Sequence, residues 1–348
     1  MPTFCRHNRF LERCPICSKT LPGNAPSARS PRRTQTARRP AAGQASHRRS
    51  PREDSVRVRR ELRAADDGYR SVLVPGLRAS ADALHLSEEI AFSSGRLATL
   101  RREPPGLYGE VRALAGADLE GATWACFLIA YLSPLEVEYG QDPFEGIRRA
   151  LAAAPGLDGG FAAGAPGRDG LPDLSDIPLG PRTSHDPARG AETLIAYGQW
   201  VRHASAGRGC QTLAFTGDPS WGPERRFERL FERLALPGFG RAGRYDLLQT
   251  LGCLGLYELR PDSLHLGGAR GLSAEDPTTL AAKRAFAIGD PLLLERRAAA
   301  LAEAAGVPLE ALDLALANWA APQRTTLGVP EAKPDHVALE GAGDALGL

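Results

Sequence analysis

The sequence predicts an all-α fold. Apolar residues recur at helical spacing through most of the chain, no run shows sustained period-two alternation, and Pro/Gly breaks separate the periodic stretches. The 348 residues can form one large domain or two lobes and bury most of their apolar surface.

Leu86, Ile90 and Leu97 suggest a first helix, with Pro104-Pro105-Gly106 a break before Val111 and Leu114. The helix of Trp124, Phe127, Leu128, Ile129, Tyr131 and Leu132 is apolar nearly all round and is expected to be central. Residues 154–190 form a long Gly/Pro/Asp stretch, a type of loop that is usually functional or disordered. A helix from about Ala191 to His203 follows. Phe227, Leu230, Phe231 and Leu234 then fall at i, i+3, i+4 and i+7, with Pro223 and Glu224 suited to that helix's first turn. Leu247, Leu248, Leu251 and Leu254 begin a second apolar face. Between the two lies Leu236-Pro237-Gly238-Phe239-Gly240, whose glycines permit a tight turn and a close ligand. The amides of Gly238 and Gly240, with the following helix N-terminus, would make a nest for a phosphate oxygen; an ordinary helix corner is the other reading. Further helices are expected over Pro291–Ala304 and Leu309–Trp319. The helical domain is drawn over residues 61–335, with 336–348 as a tail.

Cys5, His7, Cys14 and Cys17 form C-x-H-x6-C-x2-C, a donor set of three thiolates and an imidazole that suits a tetrahedral structural Zn2+. Residues 1–24 are thus expected to be a zinc knuckle whose folding energy comes from the metal. The alternative, a CxxC redox pair, lacks a surrounding βαβ pattern. Residues 25–60 are rich in Ser, Pro, Arg, Ala and Gln with almost no large apolar residues, and are expected to be a disordered linker.

Formal net charge is +2 and very uneven: residues 1–60 carry +12 and the remainder −10. A basic arm on an acidic body suggests a polyanion-binding tail, against the alternative of a solvated tether. Arg6, His7 and Arg9 stand where a signal peptide would be apolar, and Trp124–Leu135 is too short to span a bilayer. A cytoplasmic protein without membrane attachment is expected. Isolated Cys126, Cys210 and Cys253 read as reduced core residues.

Three stretches resemble, in order, the helix-hairpin-helix DNA glycosylase superfamily. Phe127-Leu128-Ile129-Ala130-Tyr131-Leu132-Ser133-Pro134 is similar to its early core helix, Leu236–Gly240 to its backbone-gripping hairpin, and Asp276-Pro277-Thr278-Thr279 to its aspartate-led helix. The chain resembles more closely the α-glutamyl/putrescinyl thymine pyrophosphorylases of the bacterial clade with an N-terminal Cys/His cluster. The residues that carry this are Cys5-Arg6-His7-Asn8-Arg9-Phe10, Thr183-Ser184-His185-Asp186, Ala214-Phe215-Thr216-Gly217-Asp218, Pro223–Arg229 and Ala281–Asp290.

The resemblance implies a DNA substrate bearing a pyrophosphorylated 5-hydroxymethyluracil, whose pyrophosphate a small amine co-substrate displaces. It implies DNA-backbone contacts from Leu236, Gly238, Gly240 and Arg241, and a central carboxylate at Asp276, or at Asp262, whose distance from the hairpin is nearer that of the glycosylases. Asp276 precedes Pro277 and also reads as a plain helix cap. His185 with Asp186 is a candidate general base held by a carboxylate. Lys283, Arg284, Arg225 and Arg226 are candidates for phosphate or pyrophosphate, or solvated helix faces. Glu136 and Glu138 are further candidates for an ammonium or a divalent metal, and Trp221 and Phe239 for stacking on a base. The position of a glycosylase-lyase lysine falls at Ala242, and no lysine lies between Lys19 and Lys283, so an amine-based lyase step at that position is excluded. A monofunctional glycosylase and a non-catalytic DNA-binding protein are the competing functions.

Overall fold

A computed structural model describes residues 64–138, 140–153, 173–267 and 276–348. The Cys5, His7, Cys14, Cys17 cluster, the 25–60 linker and residues 154–172 of the long loop lie outside the described residues. Every regular element among the described residues is a helix.

The first helix, α1 (Ser80–Arg102), opens with Asp82 and closes with Arg101 and Arg102, charges that suit the two ends of the helix dipole. Leu86, Ile90, Leu97 and Leu100 are buried along it. The Pro104-Pro105 break leads to α2 (Gly106–Ala115). Next, α3 (Leu119–Leu132) is capped by Asp118, whose carboxylate accepts from the Gly121 amide at 2.9 Å. It is buried on every side from Ala122 to Leu132, as its unbroken apolar sequence requires. Its Phe127 stacks on Tyr197 (3.7 Å between centroids) and Trp124 (5.5 Å).

Two short helices, α4 (Glu145–Ala153) and α6 (Gln211–Thr216), were not foreseen, because neither is long enough to establish a periodic pattern. Between them α5 (Glu192–Ala204) matches the expected helix within a residue at each end. Glu120 of α3 binds the Gln211 and Thr212 amides at the start of α6, and Cys210 Sγ lies 3.0 Å from the same carboxylate. Cys126 and Cys253 are buried free thiols; Cys210 is half-buried.

The paired elements are α7 (Pro223–Arg233) and α8 (Arg241–Cys253), joined across the hairpin. Phe227, Leu230, Phe231 and Leu234 are all buried, as their spacing predicts. Then come α9 (Pro277–Phe286), α10 (Pro291–Ala304) and α11 (Ala311–Ala320). The stretch expected as a tail instead forms α12 (His336–Leu346). Asp335 caps it, Ala338, Ala342 and Leu346 are buried at i, i+4 and i+8, and the Asp335 amide donates to the Ala91 carbonyl of α1 (2.9 Å). Alanines and glycines made this face hard to distinguish from a tail: Gly95 of α1 lets the Lys333 carbonyl come where a Cβ would stand.

Candidate functional site

The hairpin is built on one left-handed residue, Gly238 (φ +76°), with the Phe239 amide donating to the Leu236 carbonyl at 3.1 Å. Thr193 of α5 donates to the Pro237 carbonyl at 2.6 Å and fixes the turn from behind. Phe239 is fully buried against Phe127 and Tyr131, so this ring is a core wedge and not a base-stacking surface. Leu236 is buried too. The amides of Gly238, Gly240, Ala242 and Gly243 have no acceptor among the described residues, and the space beside Gly240 is open. Free amides at a helix start favour an anion.

Arg241 opens α8 directly after this turn, yet its guanidinium serves the interior. Nε donates to Asp276 Oδ2 (2.8 Å), Nη1 to the Leu264 carbonyl (2.7 Å) and Nη2 to Asp313 Oδ1. Asp313 Oδ2 accepts from Arg182 Nη2 at 3.0 Å, and Arg182 also grips both oxygens of Asp246 at 3.0 and 3.1 Å. Burial opposes the charge on Arg241, but Asp313 and Asp276 hold its pKa above the guanidinium norm. At the far end burial pushes the Asp246 carboxyl up despite Arg182.

Asp276 caps α9, as its place before Pro277 suggested: Oδ2 accepts from the Thr279 amide at 2.7 Å. Both interactions fall on Oδ2, and Oδ1 has no partner among the described residues. Burial works to raise its pKa, but Arg241 and the Thr279 contacts outweigh it and keep the carboxyl below its usual range. Asp262 is exposed in the α8–α9 loop, without a hydrogen bond or ion pair among the described residues.

His185 is buried, and its Nδ1 lies 2.8 Å from the Tyr131 hydroxyl. Asp186 does not hold it; that carboxylate pairs with Arg189 at 3.3 Å. Burial lowers the His185 pKa, with Asp186 acting weakly in the other direction. A Cβ at Gly243 would sit 2.5 Å from Ser184 Oγ, so the Thr183–Asp186 loop lies on the first turn of α8. The hairpin, the Asp276 cap and the His185 loop therefore meet at one helix start.

Arg226 is buried and committed to three carbonyls: Thr216 (3.0 Å), Glu258 (3.0 Å) and Trp221 (2.9 Å). It closes the α6–α7 turn, with each of its three nitrogens already bound to a backbone carbonyl. Arg225 beside it is exposed, while Lys283 and Arg284 are half-buried on α9. Glu136 caps Thr326 (2.8 Å to its amide), and Trp221 packs under Arg233. No group of three or more metal-ligating side chains occurs among the described residues, and no described helix is long and apolar enough to cross a membrane.

Sequence reasoning missed Tyr131, Arg182, Asp313 and Arg189. Asp313 carried a signal, an acid between leucines in an otherwise apolar helix. Arg189 carried none. It is half-exposed and its Cδ lies 3.5 Å from where a Gly238 Cβ would be, on an open cleft of about 870 Å3 that also includes Glu192, Gln199 and Pro237.

Residues 183–327 match the family model of the alpha-glutamyl/putrescinyl thymine pyrophosphorylases, clade 3. No curated protein and no solved structure matches the chain. The matched segment runs from the His185 loop through the hairpin and Asp276 to just past α11, and over it the chain is similar to that family.

Proposed function

We propose that this chain, which is similar to that family over residues 183–327, modifies a thymine base in DNA by displacing pyrophosphate with an amine. The family's name specifies thymine pyrophosphorylase chemistry. The observation that carries the finer reading is that one helix start joins free hairpin amides to a half-anchored carboxylate, Asp276. In the reaction the amine nitrogen forms a bond to the 5-methylene carbon, the carbon–oxygen bond to pyrophosphate breaks, and the ammonium proton passes to a base.

Each group then has a task. The amides of Gly238 and Gly240, with Arg189, bind a DNA phosphate. Asp276, kept ionised, attracts the incoming ammonium through Oδ1. His185, kept neutral by burial and held at Nδ1 by Tyr131, offers Nε2 to take the proton. A target base must leave the helix stack to reach a carboxylate in this position. Exposed Arg225 and half-buried Lys283 are the remaining cations for the leaving pyrophosphate. In the N-terminal segment, Cys5, His7, Cys14 and Cys17 would hold a structural Zn2+ on the chemistry of their donor set.

A hydrolytic alternative draws on the same feature, since a carboxylate beside a backbone-binding hairpin also suits N-glycosidic cleavage. One experiment separates them. The protein is incubated with DNA carrying pyrophosphorylated 5-hydroxymethyluracil and a panel of amines. Release of pyrophosphate without strand breaks in alkali supports transfer; alkali-labile sites without pyrophosphate release support the glycosylase, and neither product refutes both.

A further inference from the structure

We propose that Arg241 is the positioning residue for Asp276, locked in place by Asp313, and not a contact to the DNA backbone. The inference rests on Asp276 acting in the reaction proposed above, but what Arg241 does to Asp276 can be measured without turnover.

The geometry supports it at three points. Arg241 directly follows the hairpin, where a phosphate contact is expected, but it is 4 % exposed and every nitrogen of its guanidinium has an internal partner. Those partners come from three separate segments: the α8–α9 loop through the Leu264 carbonyl, the α9 cap through Asp276 and α11 through Asp313. Asp313 is itself fixed by Arg182 (3.0 Å), whose other contact is Asp246 of α8, so the guanidinium cannot swing out without breaking a buried chain of charges. A planar fork with one edge on Asp313 and the other on Asp276 defines the orientation of both carboxylates.

The consequence falls on Asp276. Arg241 Nε and the Thr279 amide both donate to Oδ2, which fixes that oxygen, while Oδ1 has no hydrogen-bond partner among the described residues. The charged groups that bear on Asp276 are Arg241 and Arg244 of α8; Asp313 of α11 and Glu295 of α10 act on it through Arg241. Arg244 has two of its nitrogens on the Gly240 and Phe231 carbonyls, so Arg241 is the cation that touches the carboxylate. Loss of Arg241 removes the contact that keeps Asp276 ionised and aimed, and leaves the hairpin amides and Arg189 untouched.

The test uses the full chain as wild type, as Arg241→Gln and as Arg241→Gln/Asp313→Asn; the double variant leaves Asp313 without a buried unpaired charge should the single variant fail to fold. Asp276 is titrated by carboxyl NMR with carbon-13 aspartate, its signal assigned from Asp276→Asn, and DNA affinity is measured against salt. The proposal expects the Asp276 midpoint to rise by about one pH unit or more in either variant. It expects the salt slope to stay at the wild-type value, with kcat falling and the KM for DNA holding. A salt slope smaller by roughly one charge means a phosphate contact and overturns it. So does an Asp276 midpoint that does not move, whatever the slope. If the midpoint rises as expected but wild type transfers no amine, the reaction reading fails while the positioning of Asp276 stands.

Discussion

Asp276 has one oxygen held by a guanidinium and a backbone amide and the other without a hydrogen-bond partner among the described residues, and this asymmetry sets what its substitution should do. Asparagine can still cap α9 through its side-chain oxygen but carries no charge to attract an ammonium. Asp276→Asn is therefore expected to fold, to bind DNA as wild type does, and to lose roughly 100-fold or more in turnover. Thermal unfolding, a binding isotherm and initial rates check the three parts. His265 gives a second residue-scale expectation. It stacks on Phe231 at 3.8 Å, its Nε2 has no partner among the described residues, and burial, with Arg241 and Arg244 nearby, lowers its pKa to about 4. The unfolded chain takes up this proton near pH 6.5 and the folded one only near 4, so stability should fall as pH drops across that window. His265→Leu should remove part of that fall, on the order of 2 kcal/mol, in denaturant midpoints measured from pH 7 to 4. The carboxylate cap at Asp276 was legible because Asp-Pro at a helix start has a local cause. The guanidinium lock was not, because Arg182, Arg241 and Asp313 are far apart in sequence and only packing brings them together.

At the scale of elements, the α7–hairpin–α8 unit is legible because each part has its own signal: i, i+3, i+4 leucines and phenylalanines, Pro at the first helical position, Gly at the turn. Gly238 holds φ +76°, and a Cβ there would stand 2.7 Å from Thr193 Oγ1. Gly238→Ala is expected to cost about 1–2 kcal/mol and to weaken DNA binding along with it, read by unfolding midpoints and affinity on the same samples. Gly240→Ala, with open space beside it and an ordinary φ, should leave stability nearly unchanged and so isolates any effect on DNA. The two short helices were hidden by their length, and α12 for a different reason. Its buried face is Ala338, Ala342 and Leu346, mostly small residues that give little hydrophobic contrast, and it is reached through a close backbone approach that Gly95 allows under Lys333. Gly95→Leu should detach α12 and lower the unfolding temperature more than a substitution at exposed Val337.

For the whole molecule, the charge division bears on how an acidic body approaches DNA. On the proposed function, with +12 on residues 1–60 and −10 elsewhere, long-range attraction to DNA is expected from the arm and local grip from hairpin amides and Arg189. Deletion of residues 25–60 should flatten the salt dependence of DNA affinity; an unchanged slope would make the arm a tether. Metal analysis of the full chain should find about one zinc per chain, lost in Cys14→Ser. Amine transfer is decided by the mass of the product nucleoside. DNA bearing pyrophosphorylated 5-hydroxymethyluracil is treated with wild type and with Asp276→Asn in the presence of an amine, then digested. A nucleoside carrying the amine is expected with wild type and almost none with the variant. Unchanged nucleosides with wild type across all amines, or equal product from Asp276→Asn, would contradict it.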